Sequence, residues 1–121
     1  MHELSIAHGI VDTVAAALGA TPGSVREVTI EVGALSGVVP ESLQFCFEIA
    51  AADTRVAGAT LTIVPVPVAI WCPTCRAEVE LSAPIRFRCP TCDTSSGDLR
   101  RGRELDVVSY TFDDEPILEG A

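Results

Sequence analysis

Apolar residues recur at helical spacing near the start of the chain: Leu4, Ala7, Val11, Val14 and Leu18, with Ile10 widening the stripe. That period predicts a helix over residues 3–18, and Gly19 followed by Thr21-Pro22-Gly23 ends it. From Val25 to Val32 the pattern alternates, with Val28, Ile30 and Val32 on one side and Thr29 and Glu31 on the other. Alternation of this kind predicts a half-buried strand. After a glycine-bounded loop over 33–37, Pro40-Glu41 opens a second helix, whose apolar face carries Leu43, Cys46, Phe47 and Ala50. Proline is tolerated in a first helical turn, and an acid there complements the helix dipole. A second alternating run, Thr60 to Val64, is expected to stop at Pro65-Val66-Pro67, and a third strand pattern runs from Glu104 to Phe112.

Between the last two strands the pattern gives way to two Cys-Pro-Thr-Cys knuckles, Cys72-Cys75 and Cys89-Cys92. Each Cys-x-x-Cys turn aims two sulfurs at one point, and two turns at this separation suit a tetrahedral Zn(II) site. Pro73 and Pro90 stiffen the knuckles and lower the entropy lost in holding the sulfurs together. Iron held by the same four sulfurs is the alternative metal. Arg76 and Asp93 follow the knuckles, where rubredoxin-like sites usually place glycine, so zinc is favoured. About 35 residues around the knuckles bury too little apolar surface to fold unaided, so the metal has to supply stability. The fold predicted is α+β: a small sheet covered by two helices, with a zinc-ribbon-like domain over 68–102 inserted before the last strand. Residues 1–67 and 103–121 form the other domain.

Composition narrows the function. All eight basic residues are arginine, 17 are acidic, and the net charge is −9. A four-thiolate zinc site makes the chain more acidic still. Such a protein is a poor general binder of nucleic acid or of an anionic membrane. Cysteines arranged as ligands suit a reducing cytoplasm, and the chain shows neither a membrane-length apolar run nor a charged leader. Around the zinc region, however, six arginines (Arg76, Arg86, Arg88, Arg100, Arg101, Arg103) face only four acids. That local excess supports an alternative, a zinc ribbon docking on nucleic acid or a nucleic-acid-processing complex. Only Trp71 and Phe87 offer stacking surfaces nearby. No enzyme is indicated: four cysteines close a zinc shell and leave no position for substrate or activated water, and no phosphate loop or nucleophile–base pair is evident.

The chain opens Met1-His2-Glu3. With a free N-terminus, the terminal amine, the His2 amide nitrogen and its imidazole Nδ1 close fused chelate rings on one metal. The Glu3 amide nitrogen or carboxylate completes a four-coordinate plane, an arrangement that favours Ni(II) or Cu(II). Histidine is bulky at position two, so Met1 is expected to be retained. His8 sits on the flank of the first helix and reads as solvated, Cys46 as a small buried hydrophobe, and Asp113-Asp114-Glu115 as a solvated acidic tail.

Met1-His2-Glu3 at the head of an amphipathic helix resembles the HypA/HybF family, the nickel metallochaperones of hydrogenase maturation. The resemblance continues through Glu31-Val32-Gly33-Ala34-Leu35-Ser36-Gly37-Val38, Pro40-Glu41-Ser42-Leu43, Phe45-Cys46-Phe47-Glu48, both knuckles and Gly102-Arg103-Glu104-Leu105. It covers nearly the whole chain in order. It implies a mixed three-stranded sheet with two helices plus a zinc domain, Ni(II) as transferable cargo and Zn(II) as a structural ion. It further implies nickel binding by Met1, His2 and Glu3, and zinc binding by Cys72, Cys75, Cys89 and Cys92. The implied partners are the GTPase HypB and the hydrogenase large subunit. One position departs from the pattern: where some relatives carry an acid near the start of the second helix, linked to the nickel site, Pro40 stands here, next to Glu41.

Overall fold

The computed structural model describes residues 2–113. The elements run α1 (Glu3–Leu18), β1 (Ser24–Gly33), α2 (Pro40–Ala51), β2 (Thr60–Val66), β3 (Val68–Cys72), β4 (Ala77–Leu81), β5 (Leu99–Arg101) and β6 (Leu105–Asp113). Two three-stranded sheets result, ordered β2-β1-β6 and β4-β3-β5. With two helices, the class is α+β, as the pattern predicts. The chain divides into two compact units: Met1–Ile30, Val38–Ile63 and Asp106–Ala121 in the first, Glu31–Gly37 and Val64–Leu105 in the second.

In the first unit α1 and α2 pack on each other. The buried residues of α1 are Glu3, Ala7, Ile10, Val11, Val14 and Leu18. One expectation needs correcting here. Leu4 is 43% exposed, and Glu3 takes the buried place at the head of the stripe. Hydrophobicity alone would assign the reverse; the carboxylate is tolerated because it finds a hydrogen-bond donor, described below. At the other end Gly19 adopts φ 54° and donates its N–H to Ala15 O. No basic residue stands in the last turn of α1. Arg55 supplies the missing charge instead. Its guanidinium donates to the carbonyls of Gly19 (2.7 Å), Thr21 and Gly23 (3.1 Å), so that one cation satisfies the helix exit and the following turn. In α2, Leu43, Phe47, Ala50 and Ala51 are buried and Cys46 is half-buried.

Strand β2 runs two residues beyond its expected end, through Pro65 to Val66. It lies at the edge of its sheet, where a residue without an N–H leaves no ladder partner wanting.

The second unit has a ladder the sequence pattern did not resolve. Strand β3 pairs antiparallel with β4, from Val68 opposite Leu81 to Cys72 opposite Ala77. On its other side β3 pairs antiparallel with β5, Ile70 opposite Leu99. Its apolar centre is small: Val68, Ile70 and Leu81, with Val79, Ile85 and Leu99 partly buried against them. The glycine-bounded loop after β1 belongs to this unit. Gly33 donates to Glu104 O (2.7 Å) and Leu35 to Gly102 O (2.6 Å). A Cβ on Gly33 would stand 2.2 Å from the Gly102 carbonyl, so only glycine lets these backbones meet.

Candidate metal sites

The register of β3 and β4 places Cys72 at the end of one strand and starts the next at Ala77, so the knuckle 72–75 is the turn of a hairpin. The second knuckle is closed by local bonds, Cys89 N–H to Thr94 O (2.8 Å) and Asp93 N–H to Cys89 O (2.8 Å). All four sulfurs lie within 4.8 Å of one another. Sγ of Cys92 is 3.5 Å from those of Cys72 and Cys75, and Cys75 and Cys89 are 3.8 Å apart. Four sulfurs about 2.3 Å from a central ion would sit about 3.8 Å from each other, so the cluster fits tetrahedral zinc. Among the described residues this is the one group of three or more His, Cys, Asp or Glu side chains that converge to ligand distance.

The leading cysteine of each knuckle, Cys72 and Cys89, is buried, and the trailing one, Cys75 and Cys92, is exposed. The trailing cysteines are followed by Arg76 (φ 53°) and Asp93 (φ 64°), both left-handed. Glycine is therefore absent from positions that still adopt the conformation glycine prefers. Its absence does not by itself separate zinc from iron, as the sequence argument supposed; the closed, well-spaced thiolate set fits structural zinc.

Neighbouring hydroxyls grade the thiols. The Thr94 hydroxyl lies 3.1 Å from Cys92 Sγ and 2.9 Å from the Thr74 hydroxyl. Bonds from the Thr94 hydroxyl and then its backbone N–H bring the Cys92 thiol down to about 6. Cys75, sharing hydrogen bonds with Cys92 first and with Cys72 and Cys89 next, is pushed up to about 12. Cys89 is lowered, chiefly by the backbone N–H of Cys92. Thr94 and Thr74 are the functional neighbours that sequence reading missed; a threonine after a knuckle carries no signal until the turn places it.

Three of the six arginines around the cysteines are engaged inside the unit. Arg88 pairs with Asp93 (3.5 Å), Arg100 with Asp98 (3.0 Å), and Arg101 with Glu78 (2.6 Å) and Glu80 (3.5 Å). Those four acids are the ones counted against the arginines in the sequence. Arg100 also covers the Trp71 ring at 4.9 Å from its centroid, which removes one of the two stacking surfaces a nucleic-acid ribbon would use.

The chain's start is a different kind of place. Met1 and the acids beyond Asp113 lie outside the described residues. His2 is exposed at the N-cap of α1, and its carbonyl accepts Ile6 N–H (3.0 Å). His8 is exposed, and so is Glu41 in the first turn of α2. Glu3 is 7% exposed, and its Oε2 accepts the backbone N–H of Val39 at 3.2 Å. That bond is the main reason its carboxyl is held below the usual carboxylate range, against the opposing effect of burial.

A family model described as hydrogenase/urease nickel incorporation, metallochaperone, hypA matches residues 1–112. The chain belongs to the HypA family. The hydrogenase maturation factor HypA of Chloroflexus aurantiacus is 50% identical over 111 residues, covering 90% of this chain and 96% of the relative. That of Streptomyces avermitilis is 43% identical over 129 residues, covering 98% of both. Among solved structures, the solution structure of the Ni metallochaperone HypA from Helicobacter pylori superposes with a TM-score of 0.62 at 20% identity. It covers 95% of this chain and 100% of that one. A second HypA solution structure gives 0.63 at 21% identity, covering 95% and 98%. At those identities the likeness concerns the fold, which is that of HypA.

Proposed function

We propose that this chain is a nickel metallochaperone that binds Ni(II) at its N-terminus and delivers it to the [NiFe]-hydrogenase large subunit, with a HypB-type GTPase as partner. The observation that carries the reading is the family match, which spans the Met-His-Glu start and both knuckles in one continuous alignment. Met1 contributes its amine, His2 its amide nitrogen and imidazole, and Glu3 closes the plane. The four N–H groups at the head of an α-helix have no partner within it, so a metal can claim the His2 nitrogen without breaking α1. Amide nitrogen has to deprotonate to join a square plane, so nickel binding weakens as pH falls. Cys72, Cys75, Cys89 and Cys92 hold Zn(II), closed on all four sides and retained, while the terminal site is exposed and its cargo exchangeable. Residues 1–67 and 103–121 act as the nickel-binding domain and 68–102 as the zinc domain. The protein works as a carrier, not an enzyme, in the cytoplasm. Among the described residues no helix is long and apolar enough to cross a membrane.

The test is calorimetric Ni(II) titration of untagged, zinc-loaded protein beside its His2→Ala variant, with zinc assayed before and after. A saturable nickel site lost in the variant, with zinc retained, supports two separate metals. Equal nickel affinity in both proteins would remove the terminal chelate.

A further inference from the structure

The β2-β1-β6 sheet has one blunted edge and one open edge. Strand β2 carries Pro65, which has no N–H to offer a further strand, and Pro67 follows it. Strand β6 runs nine residues, Leu105 to Asp113, with neither proline nor glycine, and none of the nine is buried. In its central stretch, 106–112, Val108 (53% exposed), Tyr110 and Phe112 (39%) share one face, the two rings 6.1 Å apart. Val107, Ser109 and Thr111 share the other. Among the described residues β6 has β1 on one side and no strand on the other. A long, exposed edge rich in β-branched and aromatic residues is a template for a further strand.

We propose that this edge takes β6 of a second copy of the chain, antiparallel, with a two-fold axis through Ser109. In a symmetric antiparallel pair one residue faces its own copy, and the others pair at equal distances on either side of it. Ser109 is the middle residue of β6, so an axis there pairs the whole strand, and any other axis leaves an end unmatched. Val108 then stands opposite Tyr110 and Val107 opposite Thr111, each pair made twice. Aromatic and β-branched residues facing each other are the cross-strand pairs that stabilise a sheet. Asp106 stands opposite Phe112, so no acid meets an acid although each copy carries a net charge of −9. That overall charge keeps the pair weak at low salt, and screening strengthens it. The result is one six-stranded sheet from two copies. This goes beyond the nickel reading and does not depend on it.

The test is sedimentation of the full, zinc-loaded chain over a concentration series, without nickel, for wild type, Ser109→Glu and Ser109→Lys. Ser109 is exposed, so both variants keep the fold, which far-UV CD and zinc content verify. Wild type should form dimers as concentration rises. On a two-fold axis either variant sets two like charges face to face, and its dimer should dissociate roughly fivefold more readily. Mixing the variants sets glutamate against lysine and should recover at least the wild-type association, with isotope labelling of one variant identifying the mixed pairs by native mass spectrometry. Wild type that stays monomeric to roughly millimolar concentration overturns the proposal. A dimer that neither charge weakens is built on another surface and overturns it as well. Weakening by both charges without recovery in the mixture would reject the two-fold pairing at Ser109.

Discussion

The two units reach stability by opposite routes. The first contains Ala7, Ile10, Val11, Val14, Leu18, Leu43 and Phe47, all nearly inaccessible, on two helices that pack together. Over its described residues it has eight acids against Arg26 and Arg55, a charge set with little pairing to offer. The second balances six arginines with six acids, and the apolar cluster of its β4-β3-β5 sheet is small, built on Val68, Ile70 and Leu81. In place of a large core it has a four-thiol cluster and glycines that let backbones touch. A domain with a sufficient apolar core tolerates loss of a ligand; one without it depends on the ion. The same contrast suits the proposed roles: a metal that holds the fold must stay, and a metal that is cargo must sit where the fold does not need it.

Removing zinc is the strongest way to break the symmetry between the units. Cys72→Ala takes one buried ligand from a site whose metal contributes roughly 10–16 kcal/mol. Its expected result is loss of bound zinc and of amide protection across residues 64–105, with protection kept at α1 and α2. Exchange read by mass spectrometry decides the matter, and protection lost equally in both units would mean the first also leans on zinc. The converse variant is Phe47→Ala, which empties a position that is 2% exposed. It should cost about 3–5 kcal/mol in denaturant unfolding of the first unit. Zinc affinity should not change, and a weakened zinc site would erase the distinction.

Much of this division is legible in the sequence. The 3.6-residue stripe of α1, the alternation of β1 and the Pro40 start of α2 each identify an element within a residue or so. The knuckles announce a metal site because four cysteines at that spacing have few other uses. What the chain hides are the contacts between residues distant in sequence. Leu4 and Glu3 exchange places because Val39, 36 positions away from Glu3, offers an N–H. Arg55 closes the exit of α1 although nothing near Gly19 asks for it. Gly33 and Gly102 are matched by their close approach, and no local pattern pairs them. The β4-β3-β5 ladder escapes because its strands are three to five residues long and interrupted by turns, too short for a period to register.

The smallest expected effect separates the thiols within the zinc unit. While the second knuckle keeps its folded turn and no zinc is bound, Cys92 is lowered to about 6 from an ordinary 9.0, because the Thr94 hydroxyl and backbone N–H bond its sulfur. A lowered folded-state value adds stability to the folded unit that is complete above the ordinary value and lost as pH falls through about 6. Proton competition for Cys92 therefore begins only near that pH. Alkylation offers the direct readout, but the rate at one pH is a poor guide. Thiolate at neutral pH rises from about 1% to about 90% of the population, while nucleophilicity falls with pKa at a slope of about 0.4–0.5, so most of the gain is offset. The pH profile does not suffer that cancellation. Iodoacetamide pulse labelling immediately after zinc is chelated, before the unit loses its structure, followed by peptide mass spectrometry, should level off for Cys92 above about pH 6–7, whereas labelling of Cys75, raised to about 12, should keep climbing. Thr94→Val removes the leading hydrogen bond and should move the Cys92 inflection upward while leaving α1 and α2 untouched. An inflection that stays put would transfer the effect to the backbone N–H of residue 94, and the knuckle's turn, not its hydroxyl, would then set which sulfur ionises first.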